Sequence, residues 1–402
     1  MFSIIARKKF LIWLFVIGIG CGVTSNDIDF EIEAFFEQYF NKSSTETAIT
    51  TTTESTTFKN PNCNGECVPF HLCSNNTTIT DGSGLIDIRF DEESECENYL
   101  DFCCEKNDVL PKPKVQEKST FKFESCGVSN PNGVGFRITG NKDNETEFGE
   151  FPFVVAILKE QVLNDDTTVL IFECGGTLIA PNVVITAAHC VIDKDYSLMA
   201  VRAGEWDVVI DSEPLPHVDQ KISEIIIHEN YYKGTLFNDI AIVIVETEFN
   251  LAEHIQPICL PPFRSNFDQS ECFGTGWGKD KFGKIGQYQT ILKKIDLPIV
   301  SRVNCQNSLR KTRLGRRFRL HDSFMCAGGK PGIDTCSGDG GGPLLCPIPG
   351  GRHQYYFAGI VSWGIGCGNA GIPGVYVNVA QFTNWIDQKL RNRNVDSKYY
   401  LL

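Results

Sequence analysis

The sequence predicts an all-β protein preceded by a small disulfide-knotted module, on three observations. From Ile138 onward the chain runs in short β-branched and aromatic stretches, such as residues 151–158, 183–186 and 240–245, punctuated by Gly, Pro, Asn and Asp. Helical periodicity shows mainly near the end, at residues 382–390. Six of the 17 cysteines are crowded between Cys63 and Cys104, a segment too small to hold itself by a hydrophobic core alone.

The chain has 402 residues, 42% of them apolar and 22% charged, enough to bury one or two sizeable cores. Its formal net charge of −13 disfavours general binding to a nucleic-acid phosphate backbone. Seventeen cysteines point to an oxidising compartment, and the odd number asks for one to be explained. Residues 1–25 explain it. Arg7, Lys8 and Lys9 precede an apolar run over 10–20 and then small residues, the layout of a secretory signal peptide and too short for comfortable membrane spanning. Removing that segment takes away Cys21, three basic residues and no acid, which leaves 16 cysteines and a net charge of −16. No membrane anchor is expected.

Residues 26–60 come next. Ile28, Ile32, Phe35, Phe36, Tyr39 and Phe40 fall at helical spacing among acids, which fits a helix for a partner, a helix packed on its own chain, or an arm. Eleven of the fifteen residues 43–57 are Ser or Thr, a composition that builds no core and reads as a spacer. Glycosylation tripeptides at Asn41, Asn75, Asn76 and Asn144 agree with secretion.

Residues 61–105 hold Cys63, Cys67, Cys73, Cys96, Cys103 and Cys104. Three disulfides are the natural reading; paired C-x-x-C units for zinc are lacking, and spacing alone leaves 15 connectivities open. A charged linker over 106–137, with Pro111 and Pro113, leads to a larger domain over 138–402.

Chemistry-bearing motifs are spread along that domain. Thr186-Ala187-Ala188-His189-Cys190 follows a strand, and Asn238-Asp239-Ile240-Ala241 heads another. Cys336-Ser337-Gly338-Asp339-Gly340-Gly341-Gly342-Pro343 and Ser362-Trp363-Gly364 follow in turn. Together, in the chain order His, Asp, nucleophile, they resemble the chymotrypsin-fold serine proteases over residues 126 to about 395. The resemblance implies a double six-stranded β-barrel with a C-terminal helix. It makes His189 the general base, Asp239 the acid that fixes the imidazole tautomer, and the Gly338 N–H an oxyanion donor. At the nucleophile's position stands Gly340, which has no hydroxyl for His189 to activate. Ser337 and Ser362 do not match the attack geometry. Asp334 matches the acid at the base of a trypsin-like specificity pocket, with Gly364 and Gly374 as open walls, a slot that would accept Arg or Lys.

The six-cysteine module resembles the clip domain that precedes arthropod serine proteases. That likeness implies Cys63–Cys103, Cys67–Cys96 and Cys73–Cys104. The protease likeness implies Cys126–Cys259, Cys174–Cys190, Cys272–Cys346, Cys305–Cys326 and Cys336–Cys367, so no thiol is left over. It also marks Arg137, before Ile138-Thr139-Gly140, as an activation cut whose new amino terminus would pair with Asp339. Arg89 lies inside the clip and, with Glu97-Asn98-Tyr99-Leu100 after it, resembles the processing site of the prophenoloxidase-activating-factor-2 group of clip-domain serine protease homologues, so Arg89 is the favoured cut and Arg137 the alternative.

Two features remain. Residues 310–319 hold Arg310, Lys311, Arg313, Arg316, Arg317 and Arg319, fit to dock an acidic partner or a sulfated glycan, with a plain solvated loop as the default. Glu205, Asp207, Asp211 and Glu213 stand where some relatives hold calcium; no cofactor is expected, and calcium is the metal to test. The resemblance implies a secreted, non-catalytic cofactor in extracellular fluid such as haemolymph. Its partners would be prophenoloxidase and an upstream clip-domain activating protease, with self-association after cleavage. The competing readings are an active trypsin-like protease and an antagonist or decoy of melanisation.

Overall fold

The computed structural model describes residues 65–69, 86–87, 101–106, 121–135, 138–139, 144–164, 167–208, 213–278, 289–331, 339–366 and 368–402. The signal segment, the acidic stretch, the Ser/Thr spacer and Asn41 lie outside them. So do Asn75, Asn76, Cys63, Cys73, Cys96, Arg89, Arg137, Asp211, Asp334, Cys336, Ser337, Gly338 and Cys367.

Seventeen strands are described, in chain order. In the cysteine-rich module β1 (Glu66–Pro69), β2 (Ile86–Asp87) and β3 (Asp101–Cys104) occur. β1 and β3 pair antiparallel with Cys67 opposite Cys103, and Cys67, Cys103 and Cys104 are each disulfide-bonded. β4 (Ile138–Thr139) pairs in parallel with β2, Ile86 opposite Ile138. The segment just before Arg89 and the segment just after Arg137 are thus strand neighbours.

Six strands then close a barrel: β5 (Val154–Asn164), β6 (Thr167–Ala180), β7 (Val183–Thr186), β8 (Met199–Ala203), β9 (Val218–Ile227) and β10 (Ala241–Val245), in the order β10-β7-β6-β5-β8-β9. Their apolar residues fill it: Val155, Ile157, Leu178, Ile185, Val201 and Ile242 are fully buried. Closure leaves this sheet no free edge.

The second sheet runs β12-β11-β15-β16-β17-β14-β13, from β11 (Phe273–Gly276), β12 (Lys293–Asp296), β13 (Ile299–Val300), β14 (Phe324–Ala327), β15 (Pro343–Pro347), β16 (Tyr355–Trp363) and β17 (Gly374–Asn378). Seven strands where six were expected come from one break. β12 and β13, at opposite ends of the sheet, are a single run of chain interrupted at Leu297-Pro298, where proline has no N–H for the ladder. One half pairs with β11 and the other with β14, so six runs of chain curl into a second, half-closed barrel.

Helices are few. α1 (Ala188–Val191) is a single turn, α2 (Arg302–Arg310) starts the basic segment, and α3 (Thr383–Arg391) realises the periodicity near the end, burying Ile386 and Leu390 four residues apart. Lys389 and Arg391 in its last turn suit the negative end of the helix dipole. No helix among the described residues is long and apolar enough to cross a membrane.

Four disulfides are described: Cys126–Cys259, Cys174–Cys190, Cys272–Cys346 and Cys305–Cys326. Cys174–Cys190 joins β6 to α1, one residue beyond His189, and so anchors the turn that carries the histidine.

Candidate functional site

Strand ends place the key side chains. β7 runs out at Thr186, and after Ala187 the chain turns into α1, which carries His189. Asp239 immediately precedes Ile240 and β10, the strand hydrogen-bonded to β7, so register alone brings the acid beside the imidazole. Asp239 has no solvent exposure and accepts three hydrogen bonds, from the His189 backbone N–H (2.9 Å), from His189 Nδ1 (2.7 Å) and from Ser362 Oγ on β16 (2.6 Å). These bonds satisfy a buried carboxylate and fix the tautomer, with the proton on Nδ1 and a lone pair on Nε2.

Nε2 looks towards residue 340. A Cβ built on Gly340 would lie 3.1 Å from Nε2, 3.7 Å from Cε1 and 3.9 Å from Cys174 Sγ. The backbone there is pinned on both sides: Gly175 N–H donates to Gly340 O, Gly341 N–H to Val361 O and Val361 N–H to Gly342 O, each at 2.9 Å. These bonds tie β6 and β16 to the turn before β15, so the first barrel and the second sheet meet at this turn. Gly340 does not have a left-handed φ, whereas Gly341 does (φ 79°), and a Cβ on Gly341 would stand 2.5 Å from the Gly175 carbonyl. Glycine is therefore demanded by the backbone at 341 and not at 340. A dyad able to accept a proton faces a position that the chain could furnish with a side chain and does not.

The buried Asp339 accepts a hydrogen bond from Gly278 N–H at 2.8 Å in the uncut chain. Of the expected pocket, Gly364 follows β16, and Gly374, which opens β17, is buried opposite Ala327. Asn144 is exposed at a turn.

The structure brings Glu205 and Glu213 together with His217, their ligating atoms within 4.8 Å of one another. Arg202 Nη1 donates to Glu205 Oε2 at 3.1 Å, and His217 Nδ1 lies 3.5 Å from the same oxygen. Burial, followed by the hydrogen bond to Glu213, pushes the Glu205 carboxyl well above the usual carboxylate range. Burial opposes charge on Glu213 too, but hydrogen bonds from His217, Glu205 and the Asp207 and Trp206 amides outweigh it and hold that carboxyl low. Among the described residues a guanidinium and an imidazole thus already answer these acids, contacts that an oxygen cage for calcium would have to displace; Asp211 lies outside the described residues.

Sequence reasoning had missed two of these arrangements. Ser362 lies 123 residues from Asp239, and its bond to the acid has no local signal in the sequence. Arg202 and His217 could have been noticed only as charges near an acidic run.

The geometry defines the class: a two-barrel, chymotrypsin-fold domain with a clip-like module before it. Residues 141–386 match the trypsin family model and residues 54–105 match the model described as serine protease clip domain PPAF-2. The chain belongs to the clip-domain branch of the trypsin family. It is 48% identical to phenoloxidase-activating factor 2 of Galleria mellonella over 297 residues, which span 73% of this chain and 96% of that one. It is also similar to two proteins of Anopheles gambiae named inactive CLIP domain-containing serine proteases. They are A8 (40% identical, covering 80% of this chain and 88% of that one) and A28 (36%, covering 83% and 91%).

Proposed function

We propose that this protein is a secreted, non-catalytic serine protease homologue that, once cleaved, serves as a cofactor for the activation of prophenoloxidase. The observation that carries the reading is Gly340 opposite a complete His189–Asp239 pair. Without a hydroxyl there, no acyl-enzyme can form, while the fold that presents a protease's surfaces persists. The names of its relatives support the rest, three of them being phenoloxidase-activating factors and three being inactive clip-domain proteases. Its partners are prophenoloxidase and an upstream clip-domain protease that cuts at Arg89, with Arg137 as the alternative. On this reading the positions of Asp334, Gly364 and Gly374 would serve to bind an Arg or Lys side chain without cleaving after it, and self-association follows cleavage.

The test is reconstitution. Processed protein is added to prophenoloxidase and its activating protease, and oxidation of a diphenol is followed. Activity that rises with added protein supports the cofactor reading, and a fall marks an antagonist. Amino-terminal sequencing of the processed form should read from Phe90; a start at Ile138 would overturn the assignment of the cut.

A further inference from the structure

The segment after α2 does something that neither the dyad nor the clip explains. From residue 297 to 321 there is no acid, and seven basic residues stand in a chain whose formal net charge is −13. Two of the seven are used internally. Arg302 donates to the carbonyls of His321, Leu320 and Phe324 and pairs with Asp322, and Arg310 Nε donates to Phe318 O at 2.8 Å. The other five, Lys311, Arg313, Arg316, Arg317 and Arg319, are exposed, and among the described residues none of them forms an ion pair.

The display is rigid. Cys305–Cys326 closes the loop, Gly315 takes a left-handed φ of 76°, and Phe318 N–H returns to Gly315 O at 3.1 Å. Leu320 N–H is held by Gln306 Oε1 at 3.0 Å. Leu314 and Phe318 turn inward onto the cluster of Leu309, Leu320 and Phe324, and the Phe318 ring meets Trp363 edge-on. The apolar residues therefore anchor the loop and the cations face water from a held backbone, so a ligand would have to order their side chains but not the loop that carries them.

We propose that this loop is a binding site for a sulfated polysaccharide. Two observations favour that occupant over an acidic protein. Four of the five exposed cations are arginines, whose planar guanidinium matches the paired oxygens of a sulfate group. Residues 310–319 also offer no exposed aromatic or aliphatic side chain, the anchor on which protein interfaces depend. A linear polyanion needs no such anchor, because its binding is driven by neutralised charge and released counterions. The negative charge of the rest of the chain confines it to this loop.

The experiment uses the full-length protein on immobilised heparin. Three forms are compared: the parent, Arg316→Gln/Arg317→Gln, and Lys159→Gln/Lys221→Gln, which removes the same charge from exposed positions on the first barrel. All substituted side chains are exposed, so thermal melts should stay within a few degrees of the parent. The parent should be retained at 0.15 M salt. The arginine variant should bind at least about tenfold more weakly, with the slope of log affinity against log salt reduced by about one unit per arginine. The lysine variant should stay within about twofold. Failure of the parent to bind at 0.15 M salt, or an equal loss in both variants, would overturn the proposal. So would competition by polyglutamate or by a DNA duplex as effective as that of a heparin fragment of matched charge.

Discussion

Replacing Gly340 by serine puts a hydroxyl where the dyad points, and the structure sets what that substitution can achieve. The new Cβ would sit 3.1 Å from His189 Nε2, so the ring must yield by a few tenths of an ångström against its Nδ1 bond to Asp239. That costs about 1 kcal/mol and is partly offset by the lower entropy of a non-glycine unfolded chain, so the melting temperature should move by no more than about 4 °C. In a serine protease of another fold, removing the nucleophile costs about 10⁶ in kcat, which bounds the gain from above. A misplacement of about 1 Å costs about 10²-fold, and two such errors would still leave about 10². Gly340→Ser should therefore be labelled by a fluorophosphonate probe at least about a hundredfold faster than Gly340→Ala, with the label on the peptide containing position 340. Equal rates for the two variants would refute the reasoning that a missing hydroxyl is what interrupts the triad.

Three further outcomes follow from other parts of the structure. Gly341→Ala, one residue on, forces a Cβ into a left-handed backbone against the Gly175 carbonyl and should destabilise the protein by about 2–4 kcal/mol in denaturant melts; a loss below about 1 kcal/mol would contradict the strain. Glu205 keeps its proton in the folded state to a higher pH than when unfolded, so the folded state binds more protons and stability falls as pH rises from 5 to 8; Glu205→Gln should flatten that fall, and an unchanged difference between pH 5 and pH 8 melts would count against the buried carboxyl pair. Cys126–Cys259 closes 133 residues and in the chain-entropy account contributes about 5 kcal/mol, so Cys126→Ser/Cys259→Ser should lose several kcal/mol; after a cut at Arg137 that variant should also separate into two pieces on a non-reducing gel where the parent stays whole.

Much of the fold was legible because it rests on local patterns. Residues 183–186 are β-branched throughout and became β7 unchanged, and the 3.6-residue periodicity at 382–390 became α3 shifted by one residue. The count of strands in the second sheet was not legible in the same way, since a proline inside a run of strand residues can end a strand or merely bend it, and only the pairing on either side of Pro298 tells which. The dyad was readable from two short motifs, but the bonds that make it a fixed pair come from β7–β10 register and from Ser362 across the chain. The Arg202, Glu205, Glu213 and His217 cluster was hidden for the same reason. Its chemistry depends on burial and on which side chain faces which, and neither is carried by spacing.

The central claim is that a complete proton-accepting pair has nothing at residue 340 to act on. Active-site titration of the pure, processed protein tests it most directly, with a fluorophosphonate for covalent label and an arginine ester for the acylation burst. The account predicts neither a stoichiometric label nor a burst, in preparations that still raise phenoloxidase activity. A burst approaching one equivalent, or a label on Ser337 or Ser362, would contradict it.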